Sequence, residues 1–230
     1  MSHEKIASVF DEWAQTGRGV DMQIGHGDVV EQVIDDLDVR PGQQILDLGC
    51  GVGWATRMLA QKAPGAQAVG VDVSPDMIAK AEELSSLTIR ARYEVGKFEH
   101  LDLPDERFDH VFSMEALYYA TDLPQALREI HRVTKTGGEL NIVIDCYAER
   151  ESTHAWGHQI GLDLHVLSEA DWKQAFEHAG FHEVQLTRVI DRRGTGIEGD
   201  FQATKHFPSW EEHVAFHEAG SLRIRAKKPF

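Results

Sequence analysis

Short apolar runs and amphipathic helical patterns alternate along most of this chain, and that alternation leaves few folds open to it. "QQILDLG" is a short apolar run ending in glycine, and "QAVGVDV" is a second after Pro64-Gly65. "TIRARYEV" sets Ile89, Ala91, Tyr93 and Val95 against Arg90, Arg92 and Glu94, which predicts an edge strand with one wet face. "FDHVFSM" is a fourth strand. "ELNIVID" is apolar almost throughout, as a central strand buried on both faces would be. "EVQLTRVI" and "SLRIRAKKP" complete the set.

Helices fall between these runs. Asp28 opens "DVVEQVIDDL": with Glu31 it reads as a capping box, and Val29, Val30, Val33, Ile34 and Leu37 form one stripe. A helix follows from about Trp54 to Lys62. Ser74-Pro75 caps "SPDMIAKAEEL", Pro124 sits in the first turn of "DLPQALREIHRV", and Ser168 caps a helix that Gly180 closes. "SWEEHVAFHEAG" is the last. Regular alternation implies right-handed crossovers and a mainly parallel α/β sheet with helices on both faces. Ligands of such sheets sit at the carboxyl ends of the strands. One rim therefore carries Leu48–Gly53, Asp72–Val73, Gly96–Glu99, Ser113–Tyr119 and Asp145–Tyr147.

A chain of 230 residues, 42% hydrophobic, supports a single domain over 1–230. Residues 1–40, 146–166 and 191–208 fall outside the core pattern and are the expected lid and substrate-selecting segments. The net charge is −15, which disfavours nucleic acid and anionic membrane surfaces as partners. Two cysteines, Cys50 and Cys146, make no disulfide framework and read as small apolar fillers. "MSHEKIASVF" lacks a signal-peptide core and no run spans a bilayer, so a cytoplasmic location is expected.

"LDLGCGVG" narrows the ligand. The dinucleotide fingerprint needs G-x-G-x-x-G, but here Gly49, Gly51 and Gly53 are followed by bulky Trp54. No Gly-Lys-Ser/Thr follows, so the P-loop also fails. Asp47 stands two residues before the turn, where it would repel a pyrophosphate and attract an ammonium or sulfonium. Asp72 closes the next strand, placed to accept hydrogen bonds from ribose hydroxyls. A nucleoside with positive charge fits better than one with phosphates.

"ILDLGCGVGWATRMLA", "VGVDVSPDMIAKA", "LPDERFDHVFSMEALYYATDLPQALREIHRVTKTGGEL" and "LSEADWKQAFEHAGF" together resemble a class I S-adenosylmethionine-dependent methyltransferase, of the small-molecule branch that includes ubiquinone and menaquinone methyltransferases. The resemblance covers roughly residues 43–180. It implies a Rossmann-like three-layer sandwich, a seven-stranded sheet with an antiparallel last strand, and S-adenosylmethionine as cofactor. It further implies that Gly49 and Gly51 approach the methionyl part and that Asp47 lies near its ammonium. Asp72 would bind the ribose, Met77 would pack on the adenine, and the Phe98 backbone N–H would face the ring. Met114 would lie beside the methionyl chain, with Tyr118 and Tyr119 near the methyl. Cys50 and Val73 share the same rim. Lys97 departs from the family, which commonly has an aspartate there; an ammonium cannot accept a bond from the adenine amino group. Lys97 either points into water or weakens cofactor binding.

Displacement at a sulfonium needs alignment more than a nucleophilic side chain. A base is needed only where the accepting atom carries a proton, and Glu115, Tyr119 and the histidines of the lid are candidates. "SMEALYY" differs from the Asn/Asp-Pro-Pro-Tyr pattern of enzymes acting on base or glutamine amino groups, so a small-molecule acceptor is expected. His154, His158 and His165 near Asp145 raise a metal, but Gly157 and Gly161 interrupt their spacing and no metal is expected. Trp172 reads as core and Trp156 as a possible pocket wall. Two rivals stay open: an NAD-dependent oxidoreductase, and a non-catalytic protein that binds S-adenosylmethionine.

Overall fold

A computed structural model describes residues 2–230. Seven strands form one sheet: β1 (Gln44–Leu48), β2 (Gln67–Asp72), β3 (Ala91–Val95), β4 (Phe108–Met114), β5 (Thr134–Ile144), β6 (His182–Val189) and β7 (Ser221–Lys227). Their order in space is β3-β2-β1-β4-β5-β7-β6. β1 to β5 pair in parallel, and β7 runs antiparallel to both β5 and β6. This is the Rossmann-like fold that the sequence implies, with only the last strand reversed. The order turns back between β1 and β4, so a crevice opens at their carboxyl ends.

Eight α-helices cover the sheet: α1 (His3–Thr16), α2 (Arg18–Asp35), α3 (Trp54–Ala60), α4 (Pro75–Glu83), α5 (Leu123–Val133), α6 (Trp156–Ile160), α7 (Glu169–His178) and α8 (Trp210–Ala219). Ser74 and Ser168 cap α4 and α7 through the N–H groups of Met77 and Asp171. Two apolar layers result. Phe108, Trp172, Phe176 and Phe181 fill one, and Val30, Val33, Leu59 and Phe112 fill the other. Each such buried side chain contributes roughly 1.5–3 kcal/mol. Among the described residues no helix is long and apolar enough to cross a membrane.

One expected boundary is wrong. Asp28 does not start a helix; α2 is already ten residues old when it reaches Asp28. The carboxylate instead accepts from Gln32 Nε2 at 2.7 Å and from the Arg192 backbone N–H at 2.7 Å. The Asp28–Glu31 spacing imitates a cap because acids recur along α2, at Asp21, Asp28, Glu31 and Asp35. The earlier part of α2 carries Gly19, Gly25 and Gly27, poor helix formers that tertiary contacts must hold. Gly19 shows the contact: a Cβ there would lie 2.6 Å from Val52 Cγ1, so α2 leans directly on the glycine loop.

Both N-terminal helices are tied down across the carboxyl ends of the strands. Asp11 on α1 accepts from Ser74 Oγ at 2.5 Å, and His3 pairs with Glu99 at 2.8 Å. Arg193, in the loop after β6, donates to the Ile24 and Gly25 carbonyls of α2 at 2.6 and 2.7 Å.

Candidate active site

The glycine loop is built by hydrogen bonds to its neighbour strand. The Gly49 and Cys50 N–H groups donate to the Val71 carbonyl at 2.8 and 3.1 Å, which pins the turn to the end of β2. Asp72 then accepts from the Gly51 N–H and the Ser74 N–H, both at 2.9 Å, and so holds the loop to the start of α4. Gly49 has φ +71°, and a Cβ on it would sit 2.1 Å from the Ala116 Cβ. Gly49→Ala therefore meets both backbone strain and a wall that cannot turn aside. It is expected to lower the melting temperature by about 5–10 °C in differential scanning fluorimetry.

The loop borders a cleft of about 950 Å³. Of the expected site residues, Asp47, Gly49, Cys50, Gly51, Asp72, Val73, Met77, Lys97, Phe98, Met114, Glu115 and Tyr119 line it. Tyr118 does not: it is buried behind them and borders a neighbouring cavity. Lys97 is exposed at the rim. Cys50 is buried, and burial raises its thiol pKa well above the usual value, so it is no nucleophile.

Two buried acids give the cleft its sign. Asp47 is 2% exposed and accepts from Thr56 Oγ1 at 2.6 Å. Burial, with the Asp72 charge adding to it, pushes Asp47 up to about 7. Burial raises Asp72 as well, against the backbone N–H groups that it accepts. Among the described residues neither has a cationic side chain within salt-bridge distance. With neither carboxylate paired in this way, the cleft favours a ligand that brings positive charge or hydrogen-bond donors to them.

Behind it opens a second, larger cavity of about 1710 Å³. Trp13, Met22, His26, Glu115 and Tyr119 border both chambers. Its far walls come from residues 145–156, 189–196 and 206–221, Trp156 among them. His154, His158 and His165 do not gather at Asp145. His154 and His165 meet the Ala148 and Ala120 carbonyls at 2.9 and 2.8 Å, and His158 is exposed.

Asp145 is instead the centre of a network the sequence did not reveal. It takes Arg150 Nη1 at 2.5 Å and Ser221 Oγ at 2.6 Å, and His26 Nδ1 lies 3.4 Å from its other oxygen. Glu115 accepts from Tyr118 OH at 2.6 Å and from the Asp145 backbone N–H. Ligand-capable atoms of His26, Glu115 and Asp145 lie within 4.8 Å of one another. Arg150 and Ser221 hold one oxygen of Asp145, and Tyr118 and a backbone N–H hold Glu115, so the three side chains form part of a hydrogen-bond network. Burial works against the Asp145 charge, but Arg150, His26 and Ser221 together outweigh it and hold Asp145 below the usual range. Burial and the Asp145 charge push Glu115 well up. Burial, with Glu115 adding, also raises Tyr119. His26 goes down: burial lowers it more than Asp145 raises it. Glu115 has φ +54°, in the left-handed region unusual for glutamate, so the turn after β4 is held in place by its surroundings.

A family described as "Methyltransferase domain" matches residues 46–142. A structure of the complex between the Haloferax volcanii Trm112 methyltransferase activator and its putative methyltransferase aligns over 96% of this chain and 98% of that one, at 31% identity and a TM-score of 0.89. The chain belongs to the class I S-adenosylmethionine-dependent methyltransferases. Among methyltransferases of this kind it is 29% identical to a Triticum aestivum phosphoethanolamine N-methyltransferase, over 84% of this chain and 40% of that protein. It is 32% identical to a Synechocystis 2-methyl-6-phytyl-1,4-hydroquinone methyltransferase, over 61% of this chain and 51% of that protein. The chain thus spans about half, or less, of the curated relatives it matches.

The cleft fits the methyltransferase cofactor. S-adenosylmethionine carries an ammonium and a sulfonium, and the cleft offers Asp47 and Asp72 without a cation of their own. Asp72 stands at the carboxyl end of β2, and Met77 is buried in the wall beside Gly51. A dinucleotide fits poorly, since Asp47 is where its phosphates would need a donor.

Proposed function

We propose that this protein transfers a methyl group from S-adenosylmethionine to a small molecule held in the second cavity. One observation carries the reading: two chambers, one acidic and bordered by the glycine loop, the other wide and aromatic, meet at a common wall. The bound cofactor supplies a methyl group already activated by its sulfonium charge. This chain has to hold donor and acceptor in line and keep water out.

In this reading Asp47 faces the ammonium group, and Asp72 accepts from the ribose hydroxyls. Gly49 and Gly51 admit the ligand close to backbone, with Cys50 and Val73 beside them. Met77 and Phe98 enclose the adenine, and Met114 lies along the methionyl chain. Tyr118 acts through Glu115 rather than by contact, because its hydroxyl is spent on that carboxylate. Glu115 and Tyr119 shape the passage between the chambers. Their raised pKa values keep Glu115 and Tyr119 protonated over a wider pH range, so little of either is in the form that takes a proton, and His26, kept neutral beside Asp145, takes that part where the acceptor has a proton to lose. Residues 1–40, 146–166 and 191–208 serve as the roof and far walls of a single domain.

The ubiquinone- and menaquinone-like branch remains our choice within the family. Support comes from the aromatic wall of Trp156, Phe207 and Phe216 and from the hydroquinone substrate in the Synechocystis relative's name. Incubation with S-adenosylmethionine and a metabolite library, with release of S-adenosylhomocysteine as readout, tests the function. Release with no library member, beside tight S-adenosylhomocysteine binding, would favour the non-catalytic rival. Because the Haloferax relative was solved with an activator, the assay is run with and without such a protein.

Lys97 provides a graded check on the adenine end. It sits at the rim without a carboxylate partner among the described residues. Lys97→Asp restores an acceptor there and is expected to tighten S-adenosylhomocysteine about 3–10-fold in calorimetry, the worth of one added hydrogen bond. An unchanged constant would mean that this position does not reach the adenine.

A further inference from the structure

Three arginines border the second cavity, and two of them are fully engaged. Arg150 is spent on Asp145 and on the Phe216 carbonyl, with its guanidinium 3.4 Å from the Phe216 ring centre. Arg193 is spent on Asp191 and on the carbonyls of α2. Arg18 differs. Among the described residues no carboxylate lies within 4 Å of it. Its guanidinium stacks over Trp13 at 3.9 Å and donates to His206 Nε2 at 3.3 Å. Of the acids bordering the cavity, Asp145, Asp191 and Glu115 are committed to other partners, and Asp21 is exposed.

The Arg18 bond fixes the imidazole beside it. A guanidinium only donates, so His206 Nε2 accepts and the ring proton sits on Nδ1. His206 Nδ1 has no hydrogen-bond partner, and neither has Trp156 Nε1, whose ring lies 5.9 Å from that of His206. One corner of the chamber therefore gathers a cation and two buried, unpartnered N–H donors, and the one acceptor among these groups, His206 Nε2, is taken by Arg18. In a protein of net charge −15, a half-buried guanidinium left without a carboxylate calls for a partner from outside.

We propose that Arg18, with His206 and Trp156, is an anion seat, and that the acceptor is a small molecule carrying a carboxylate or phosphate monoester on an aromatic or apolar body. This rests on reading the second cavity as the acceptor's chamber. The aromatic body would lie along Trp156, Phe207 and Phe216, whose rings pack at 5.6 and 4.8 Å around Phe216. The anion would take the oxyanion-binding fork of Arg18, the geometry guanidinium serves best.

The test uses the whole chain saturated with S-adenosylhomocysteine and titrated by calorimetry with benzoate, phenyl phosphate and neutral benzamide. Benzoate or phenyl phosphate is expected to bind at least about tenfold more tightly than benzamide, as a charge-assisted bond allows. Whichever anion binds more tightly identifies the group. Arg18→Gln is expected to erase that preference while leaving benzamide and S-adenosylhomocysteine unchanged, since Arg18 borders only the second cavity. His206→Gln leaves the Arg18–Trp13 stack in place and should reduce the preference about threefold, which keeps a readout if Arg18→Gln folds poorly. Equal affinity for the three probes, binding of none of them, or an anion preference that survives both variants overturns the anion seat. Failure of the wild-type chain to bind S-adenosylhomocysteine would instead overturn the methyltransferase reading itself.

Discussion

Replacing His26 by asparagine is expected to slow methyl transfer about 10²–10³-fold for an acceptor whose nucleophilic atom carries a proton. S-adenosylhomocysteine affinity should stay within about threefold, so the loss appears in kcat. The reason lies in the wall between the chambers. His26 projects from α2 toward Asp145, whose carboxylate is fixed by Arg150 and Ser221. A carboxylate beside Nδ1 keeps the proton there and leaves Nε2 free to accept. The charged groups around the ring are Asp145, Arg150, Arg193 and Asp191, and burial dominates them all, lowering its pKa. The wild-type rate should therefore rise with pH and level off below the ordinary imidazole value of about 6.5. His26→Asn should flatten that acid limb. The same shift has a stability consequence with a definite sign. The folded protein binds the His26 proton less readily than the unfolded chain, so its contribution is present above about pH 6.5 and is lost as pH falls below it. An acid limb unchanged in His26→Asn would return the proton-accepting part to another group.

The second large effect is at Asp72. Asp72→Ala is expected to weaken S-adenosylhomocysteine binding about 10²–10³-fold, the usual cost of removing one side of a buried, charge-assisted contact. Part of that loss is preorganisation, because the carboxylate already gathers the Gly51 and Ser74 N–H groups. The unliganded melting temperature should fall as well, with those two donors left unpaired. Asp72→Asn separates the contributions. Its carbonyl can still take one N–H, but its amide turns a donor toward the other, and the affinity should fall only about tenfold. Binding by Asp72→Ala within threefold of wild type would remove Asp72 from the ribose.

The cleft was legible in the sequence because its parts are local. Asp47, Gly49, Gly51 and Asp72 sit at the ends of two successive strands, and strand ends can be read from apolar runs that stop at glycine or serine. The sheet was legible for the same reason: Leu140, Ile142, Val143 and Ile144 need two buried faces wherever they are. The roof was not. α2 begins in a glycine-rich stretch with weak helix propensity, and its first turns are stabilised by contacts with Val52 and with Arg193. His26 had no motif around it, and its partner Asp145 follows the end of the fifth strand. Only the fold brings the two together. The available signal was Gly19, a small residue that marks a close approach, although nothing local says what it approaches. Tyr118 shows the opposite limit: the sequence places it correctly at a strand end but cannot say which of two adjacent tyrosines turns inward.

The roof helix has one further consequence. Arg18, Met22 and His26 recur every four residues on α2, so they form a single stripe along the second cavity. Eight residues of helix rise about 12 Å, and hydrogen-bonded helix does not stretch. The stripe is a ruler. With the proposed anion seat at one end and the proposed proton acceptor at the other, it would measure the acceptor's length from its charged group to its methylated atom. A homologue that adapts to a longer or shorter acceptor has to shift whole turns of α2 or move the anion seat onto a different element. Changes confined to residues 191–196, which line the side of the cavity, can alter the girth of what fits, but not its length.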